Sequence, residues 1–386
     1  MEEKNYELPP LSLLGGNQLD NYAVSDEEIA DNKEKLLSLF RSYGIDVNNI
    51  EVSNGPSVSA YSIALKKRIK KSDYEKISKE VLMSYGYRIQ KTDDGCLIEI
   101  PNRTPTIVSL KSVLESNVFR SCNAELPVAL GVNTSGTVKV TDLTQMPHLL
   151  IGGATGQGKT DFLNAMVMSL LYSKKPSEMK FVMIDPEKVL FRDYSRLPRT
   201  WFAMPDSQND TSDKMPVLTD IAEVGNVLNS LCIEMDKRYG QLADSNVSDI
   251  KAYNEKAAGQ ILPYIVVVID EYFDLIVLDS DGDIKKSIIS LAEKGKAVGI
   301  HVVMATSRPS ANVISSLVKT NFPTRIAFRV ATETDSRTIL DQQDAVLLNG
   351  KGDMLYYDGG ELERIQCPLV FGEIEQTVDY ICEQMK

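Results

Sequence analysis

Two histidines and one tryptophan in 386 residues leave little material for imidazole chemistry. His148 and His301 each open an apolar stretch with no partner residue beside it, so neither reads as a ligand or a general base. Five cysteines (Cys96, Cys122, Cys232, Cys367 and Cys382) are scattered, odd in number and without a C-x-x-C pair. Neither a disulfide framework nor a zinc site is suggested, and reduced, partly buried thiols are expected. Long apolar runs are also missing. The aliphatic stretch 265–269 is far too short to span a bilayer, and the opening MEEKNYELPP lacks the basic and apolar regions of a signal peptide. A cytoplasmic chain with no membrane segment of its own is expected. Positive charge is not in excess either: the formal net charge of -12 weighs against indiscriminate binding of polyanions, while leaving room for a local basic channel.

What is present suits a globular chain, with 43% hydrophobic and 25% charged residues and length for about two domains. Residues 1–24, with Pro9, Pro10, Gly15 and Gly16, read as a linker or arm. Ser25-Asp-Glu-Glu28 and Ser72-Asp-Tyr-Glu75 read as capping boxes that start helices, and Asn54-Gly55-Pro56 as the turn between two strands. Residues 25–134 are thereby expected to form a small α+β domain. From 135 to 386 the pattern becomes α/β: HLLIGG, KFVMIDPE, YIVVVIDE, HVVMATS and TRIAFRV are continuous apolar runs separated by amphipathic stretches, as in a parallel sheet covered on both faces. A short closing helix is expected after about 375.

The first of these runs leads into Gly153-Ala154-Thr155-Gly156-Gln157-Gly158-Lys159-Thr160, which matches G-x-x-x-x-G-K-[ST] between a strand and a helix. Glycines let successive N–H groups curl around a phosphate, and the following helix adds its positive end. Lys159 is suited to the β and γ phosphates, and the Thr160 hydroxyl to Mg2+; Asp161 completes the stretch expected to bind ATP. Leu163, Met166, Val167, Leu170 and Leu171 recur at helical spacing behind it.

A second apolar run ends in Asp270 and Glu271, where open α/β sheets place ligands. Asp270 is suited to hold Mg2+ and Glu271 to orient an attacking water, although two acids in a surface turn give the same pattern. Thr306, Ser307 and Arg308 follow another strand. A hydroxyl there fits a γ-phosphate sensor and a polar strand end equally well. Asp185 and Pro186 end a further strand, in what can be a turn and nothing more. KKRIKK, residues 66–71, reads as a solvated basic edge more readily than as a binding site.

Together these residues resemble the FtsK/SpoIIIE family of DNA translocases. MPHLLIGGATGQGKT, NSLCIEMDKRY, LPYIVVVIDEYFDL, GIHVVMATSRPSANVI, NFPTRIAFRVATETDSRTILD and GKGDMLYY look like family blocks in family order, and PSVSAYSIAL, IEIPNRTPTIVSLKSVL and ELPVALG resemble the smaller domain ahead of the motor. The resemblance covers about residues 25–375. It implies a RecA-like P-loop NTPase domain behind the smaller α+β domain, and a homohexamer that drives double-stranded DNA through its pore with ATP. The family's membrane region and winged-helix module have no counterpart here, so the motor alone is expected.

By motif, the resemblance assigns DNA contact to Arg308, Lys319 and Arg337, with pairing to carboxylates in the fold as the other use of Arg308 and Arg337. Three positions depart from the family pattern. Ser307 stands where glutamine is usual, Glu333 replaces a lysine near the pore, and Lys296, beside Gly295, occupies the expected place of a trans-acting arginine finger. Lysine offers a point charge where arginine offers a planar fork. These departures keep two alternatives open: a degenerate ATP-binding paralogue with a structural or regulatory role, and a related motor for conjugation or secretion cargo.

Overall fold

The computed structural model describes residues 6–385, with the exception of 17–21, 23, 204–215, 258 and 260. Within the expected arm, Tyr6 and Leu14 are buried, the Tyr6 ring stands edge-on to Trp201 at 6.1 Å, and the Gly15 N–H donates to Glu373 at 2.7 Å. Residues 1–5, 17–21 and 23 of that arm lie outside the described residues.

Ser25 caps the helix Asp26–Ser42, its hydroxyl accepting from the Glu28 N–H at 3.2 Å. Only half of the expected box forms, because the Glu28 carboxylate turns inward and accepts from the Arg103 N–H at 2.9 Å. The second box is displaced. The helix Lys71–Glu80 starts two residues early, with Lys70 at the cap and Ser72 already inside the first turn. The basic run ahead of it is exposed around a buried Ile69, as a solvated edge would be.

These helices accompany an antiparallel sheet of β1 (Val47–Asn54), β2 (Val58–Leu65), β3 (Arg88–Lys91) and β4 (Gly95–Pro101), ordered β1-β2-β4-β3. Gly55 lies in the β1–β2 turn. A Cβ there would meet Val58 O at 2.6 Å and Asn133 O at 2.8 Å, so glycine permits the hairpin to abut the larger sheet.

The larger sheet contains β5 (Pro127–Asn133), β6 (Val138–Asp142), β7 (His148–Gly152), β8 (Met179–Ile184), β9 (Val217–Leu218), β10 (Tyr264–Ile269), β11 (Ile300–Thr306), β12 (Thr324–Phe328), β13 (Asp353–Tyr357) and β14 (Glu363–Gln366). Its order is β6-β5-β14-β13-β12-β7-β11-β10-β8-β9. From β12 to β9 all neighbours are parallel; from β12 to β6 all are antiparallel. The five apolar runs are the five strands of the parallel half nearest its centre. Side chains along β10 divide between two cores, Val266 and Val268 on one face and Ile265, Val267 and Ile269 on the other, which is why the strand is apolar without alternation. The β5–β6 hairpin runs in this sheet through β14, and the 134/135 division read from the sequence falls inside it, leaving β5 on one side and β6 on the other. The expected closing helix is Ile374–Gln384.

A buried charge network joins the two sheets. Arg88 on β3 donates to Glu99 on β4 at 2.9 Å and to Asp344 at 3.0 Å. Glu99 also accepts from Arg364 on β14 at 2.9 Å, and Arg364 reaches Asp353 on β13 at 2.7 Å. Asp353 in turn accepts from the Asn349 N–H at 2.7 Å, at the start of a loop that packs on the glycine-rich stretch.

Candidate active site

Strand β11 separates β7 from β10, so the C-terminal ends of all three converge on one edge of the sheet. The glycine-rich loop leaves β7 there. The Gly153 N–H donates to Thr306 O at 3.3 Å and the Ala154 N–H to Arg329 O at 2.9 Å, which ties the start of the loop to β11 and to the end of β12. Gly158 has φ of 120°, and a Cβ there would lie 2.6 Å from the Gly352 Cα. Glycine is required by both conformation and space. The helix Lys159–Leu171 begins at once, its N–H groups directed into the loop, with Asp161 in the first turn.

The Lys159 ammonium is buried and donates to the carbonyls of Gly153 at 2.9 Å and Ala154 at 3.1 Å. Burial lowers its pKa, partly offset by the charges of Glu271 and Asp270. Its two bonds close the loop on itself. They are neutral acceptors that a phosphate can replace with charged ones, so the cradle fits a polyphosphate.

Asp270 and Glu271 follow β10. The Asp270 carboxyl is pushed up to about 7, first by burial and then by the neighbouring charges of Asp185 and Glu271. A cation at this point opposes both causes. Glu271 is held in the left-handed region, φ 52° and ψ 62°, a conformation few non-glycine residues adopt. Its carboxylate accepts from the Ser307 N–H at 2.8 and 3.1 Å and from the Thr306 hydroxyl at 3.2 Å. Thus Ser307 reaches Glu271 through its backbone. Asp185 lies in a tight turn, accepting from the N–H of Lys188 at 2.9 Å and of Phe191 at 3.1 Å.

The structure therefore brings together the stretch from Gly153 to Asp161, Asp270, Glu271, Thr306 and Ser307. Lys296 stands apart. It is exposed in the turn Gly295–Val298 that precedes β11, at the opposite end of the strands from the loop. Gly295 abuts the strand start, where a Cβ would meet Ile300 O at 2.6 Å.

Of the basic candidates, Arg308 is exposed beside the site with its guanidinium 4.8 Å above the Phe273 ring. Lys319 and Arg337 line a separate hollow of about 320 Å³ between the helices Ser316–Asn321 and Glu333–Leu340. Both have carboxylate partners: Lys319 bonds Asp341 at 2.5 Å, a residue shared with Arg325, and Arg337 pairs with Glu333 at 3.2 Å.

Sequence reading quoted GKGDMLYY as a family block but gave no role to the loop 349–352 at its start, which packs on the glycine stretch through the bond from the Gly352 N–H to Gln157 O at 3.0 Å. Its clustered Gly350, Lys351 and Gly352, all at positive φ, were the available signal.

The sequence model of the FtsK/SpoIIIE family matches residues 109–311, and that of the FtsK alpha domain matches residues 8–102. The DNA translocase FtsK of Clostridium acetobutylicum is 38% identical over 390 residues, covering 97% of this chain and 49% of that protein. The DNA translocase SpoIIIE of Bacillus subtilis is 35% identical over 404 residues, covering 100% of this chain and 50% of that one. The chain spans about half the length of the curated relatives it matches. Among solved structures, the pCW3 conjugation coupling protein TcpA, in monomer form with ATPγS, superposes with TM-score 0.63 at 22% identity, over 92% of this chain and 99% of that one. The cytoplasmic domain of the type VII secretion ATPase EccC of Thermomonospora curvata gives 0.58 at 23% identity, over 67% and 31%. These likenesses establish the RecA-like P-loop fold with a smaller α+β unit ahead of it. No described helix is long and apolar enough to cross a membrane. With its family match covering more than half of its length, the chain belongs to the FtsK/SpoIIIE family.

Proposed function

We propose that this chain is the motor of a double-stranded DNA translocase, hydrolysing ATP with Mg2+ as a cytoplasmic homohexameric ring. The observation that carries the reading is the attachment of Glu271 to Thr306 and Ser307, because the same strand end continues into Arg308. A change at the hydrolytic carboxylate is thereby transmitted to a DNA contact two residues away.

In this reading Gly153 to Thr160 cradle the phosphates, and Lys159 exchanges its carbonyl partners for phosphate oxygens. Thr160 and Asp270 would hold Mg2+, an ion that oxygen donors such as these suit. It would stabilise charge at the transferred phosphoryl group. Glu271, anchored by β11, orients the water. Lys296 is directed to a neighbour's nucleotide, since it lies at the far end of the strands from its own; a head-to-tail contact that closes into a ring supplies this. Arg308 and Arg337 meet DNA phosphates, and Lys319 adds charge from its pair with Asp341. The motor sheet takes in residues 127–142, so we set the working boundary with the small unit ahead of residue 127.

Displacement of a triplex-forming oligonucleotide from linear duplex DNA tests the reading. ATP-dependent displacement by wild type, absent with Glu271→Gln, is expected. DNA binding and ATP turnover without displacement would contradict translocation.

A further inference from the structure

Strand β12 flanks β7 on the side away from β11, and its last residue, Phe328, abuts the start of the glycine-rich loop: a Cβ at Gly153 would lie 2.6 Å from the Phe328 Cβ. Arg329 follows. Its carbonyl accepts from the Ala154 N–H at 2.9 Å, so its backbone is part of the wall of the phosphate cradle. Its side chain passes over the loop 349–352, where a Cβ at Gly350 would stand 4.0 Å from the Arg329 Cδ and press on the Gln157 Oε1. Beyond that stem the guanidinium is exposed and forms no hydrogen bond or ion pair with any described residue. Arg325, on the same strand, shows the contrast. It bonds the Asp341 carboxylate at 2.7 Å and the carbonyls of Phe322 and Lys319, each at 3.2 Å.

Charge around the cradle is uneven. The Asp270 carboxyl has the carboxylates of Asp185, Glu271 and Glu187 as electrostatic neighbours and Lys159 as the cation among them. These four acids follow β8 and β10, all on one side of β7, whereas Arg329 stands on the other. A polyphosphate entering the loop adds negative charge to an acid-rich site, and Arg329 offers five N–H donors that no carboxylate holds.

Resting on the ATP reading above, we propose that Arg329 is a catalytic residue acting in cis: its guanidinium closes over the loop onto the terminal phosphate of its own subunit's ATP and stabilises the charge spread over the transferred phosphoryl group. In that step the water oxygen bonds to the γ phosphorus as the bridging P–O bond breaks, ADP leaves with that electron pair, and one proton of the water passes to solvent by way of Glu271. Arg329 stays protonated throughout. A planar fork spans two phosphate oxygens, which the point charge of Lys296 does not, and an arginine on the same chain as the loop needs no neighbour to reach the nucleotide. Closing also breaks no ion pair with a described residue. Lys296 then adds to hydrolysis only in the assembled ring, while Arg329 acts in every subunit.

Steady-state hydrolysis by wild type, Arg329→Ala and Arg329→Lys, with Glu271→Gln as the blank, tests the assignment beside calorimetric titration with ATPγS and with ADP plus aluminium fluoride, a mimic of the transferred phosphoryl group. Arg329→Ala should lower kcat about 10³-fold, the scale of an arginine at the transferred phosphoryl group, and weaken the mimic far more than ATPγS. Arg329→Lys should recover little of either. Mixing Arg329→Ala with Lys159→Ala subunits should restore no turnover, because each site still lacks a group of its own chain. Restored turnover would place the arginine in a neighbour's site and overturn the cis assignment. A raised KM at unchanged kcat, or equal affinity of wild type and Arg329→Ala for the mimic, would overturn the catalytic role while leaving the ATP reading intact. Failure of wild type to bind ATPγS would overturn the ATP reading, and this role with it.

Discussion

The Ser307 backbone N–H donates to both carboxylate oxygens of Glu271, at 2.8 and 3.1 Å, so the side chain at position 307 does not set this contact. Ser307→Ala should therefore keep ATP turnover within about twofold of wild type. Thr306→Val keeps the shape but removes the hydroxyl bond to the carboxylate, and should lower kcat about tenfold, the scale of one hydrogen bond to a charged group. Steady-state hydrolysis by the two variants checks this; a large loss in Ser307→Ala alone would mean that the hydroxyl acts directly on the phosphate.

Much of this site was legible because its residues are consecutive or end an apolar run. The loop from Gly153 to Thr160 and the pair Asp270 and Glu271 follow buried strands, and continuous apolar strands imply two covered faces. Relationships made across the fold were not legible. Arg364 and Glu99 are 265 residues apart, and no local spacing connects them. The hairpin of β5 and β6 could pair with either sheet by pattern, and its partner β14 lies far along the chain. At Ser72 the box pattern was present, but the helix began before it. At 307 the residue type drew attention to a side chain when the backbone makes the bond.

Arg364 bridges Glu99 and Asp353 with all three nearly inaccessible to water. Arg364→Ala leaves the buried Asp353 carboxylate without its cation and Glu99 with Arg88 alone, and should cost about 3–5 kcal/mol, seen as a marked fall in Tm. Arg103→Ala, which removes an exposed pair with Asp31, should leave Tm unchanged. Equal Tm values for the two variants would contradict the structural weight given to the network.

Burial holds His148 down to about 3, with the charges of His301 and Lys296 adding to it, and His301 down to about 4, where burial outweighs the bond to Pro147 O and the charge of Asp142. Above about pH 6.5 both are neutral in either state and contribute no slope. Below it the unfolded chain takes up protons that the folded chain refuses, so stability falls until the folded values are reached. His301→Phe should reduce the slope of unfolding free energy against pH by about 1.4 kcal/mol per unit between 6.5 and 4. Denaturant titrations across that range would contradict this if the slope stayed at the wild-type value.

Arg308 is exposed and Arg337 half-exposed, whereas Lys319 is drawn onto Asp341. Arg308→Ala with Arg337→Ala should weaken duplex binding and flatten its salt dependence by about one to two phosphate contacts, with a smaller change for Lys319→Ala. Glu333→Ala, which frees Arg337, should steepen it. A salt slope unchanged in the double variant would remove both arginines from the DNA path.

Steady-state ATP hydrolysis, followed with and without long double-stranded DNA across protein concentration and with Glu271→Gln as the blank, tests the motor most directly. The account predicts strong stimulation by DNA that rises cooperatively with protein concentration, and loss of that stimulation in Lys296→Ala. Binding of ATP with no DNA-stimulated turnover at any concentration would contradict it and favour a paralogue that binds nucleotide without working as a motor.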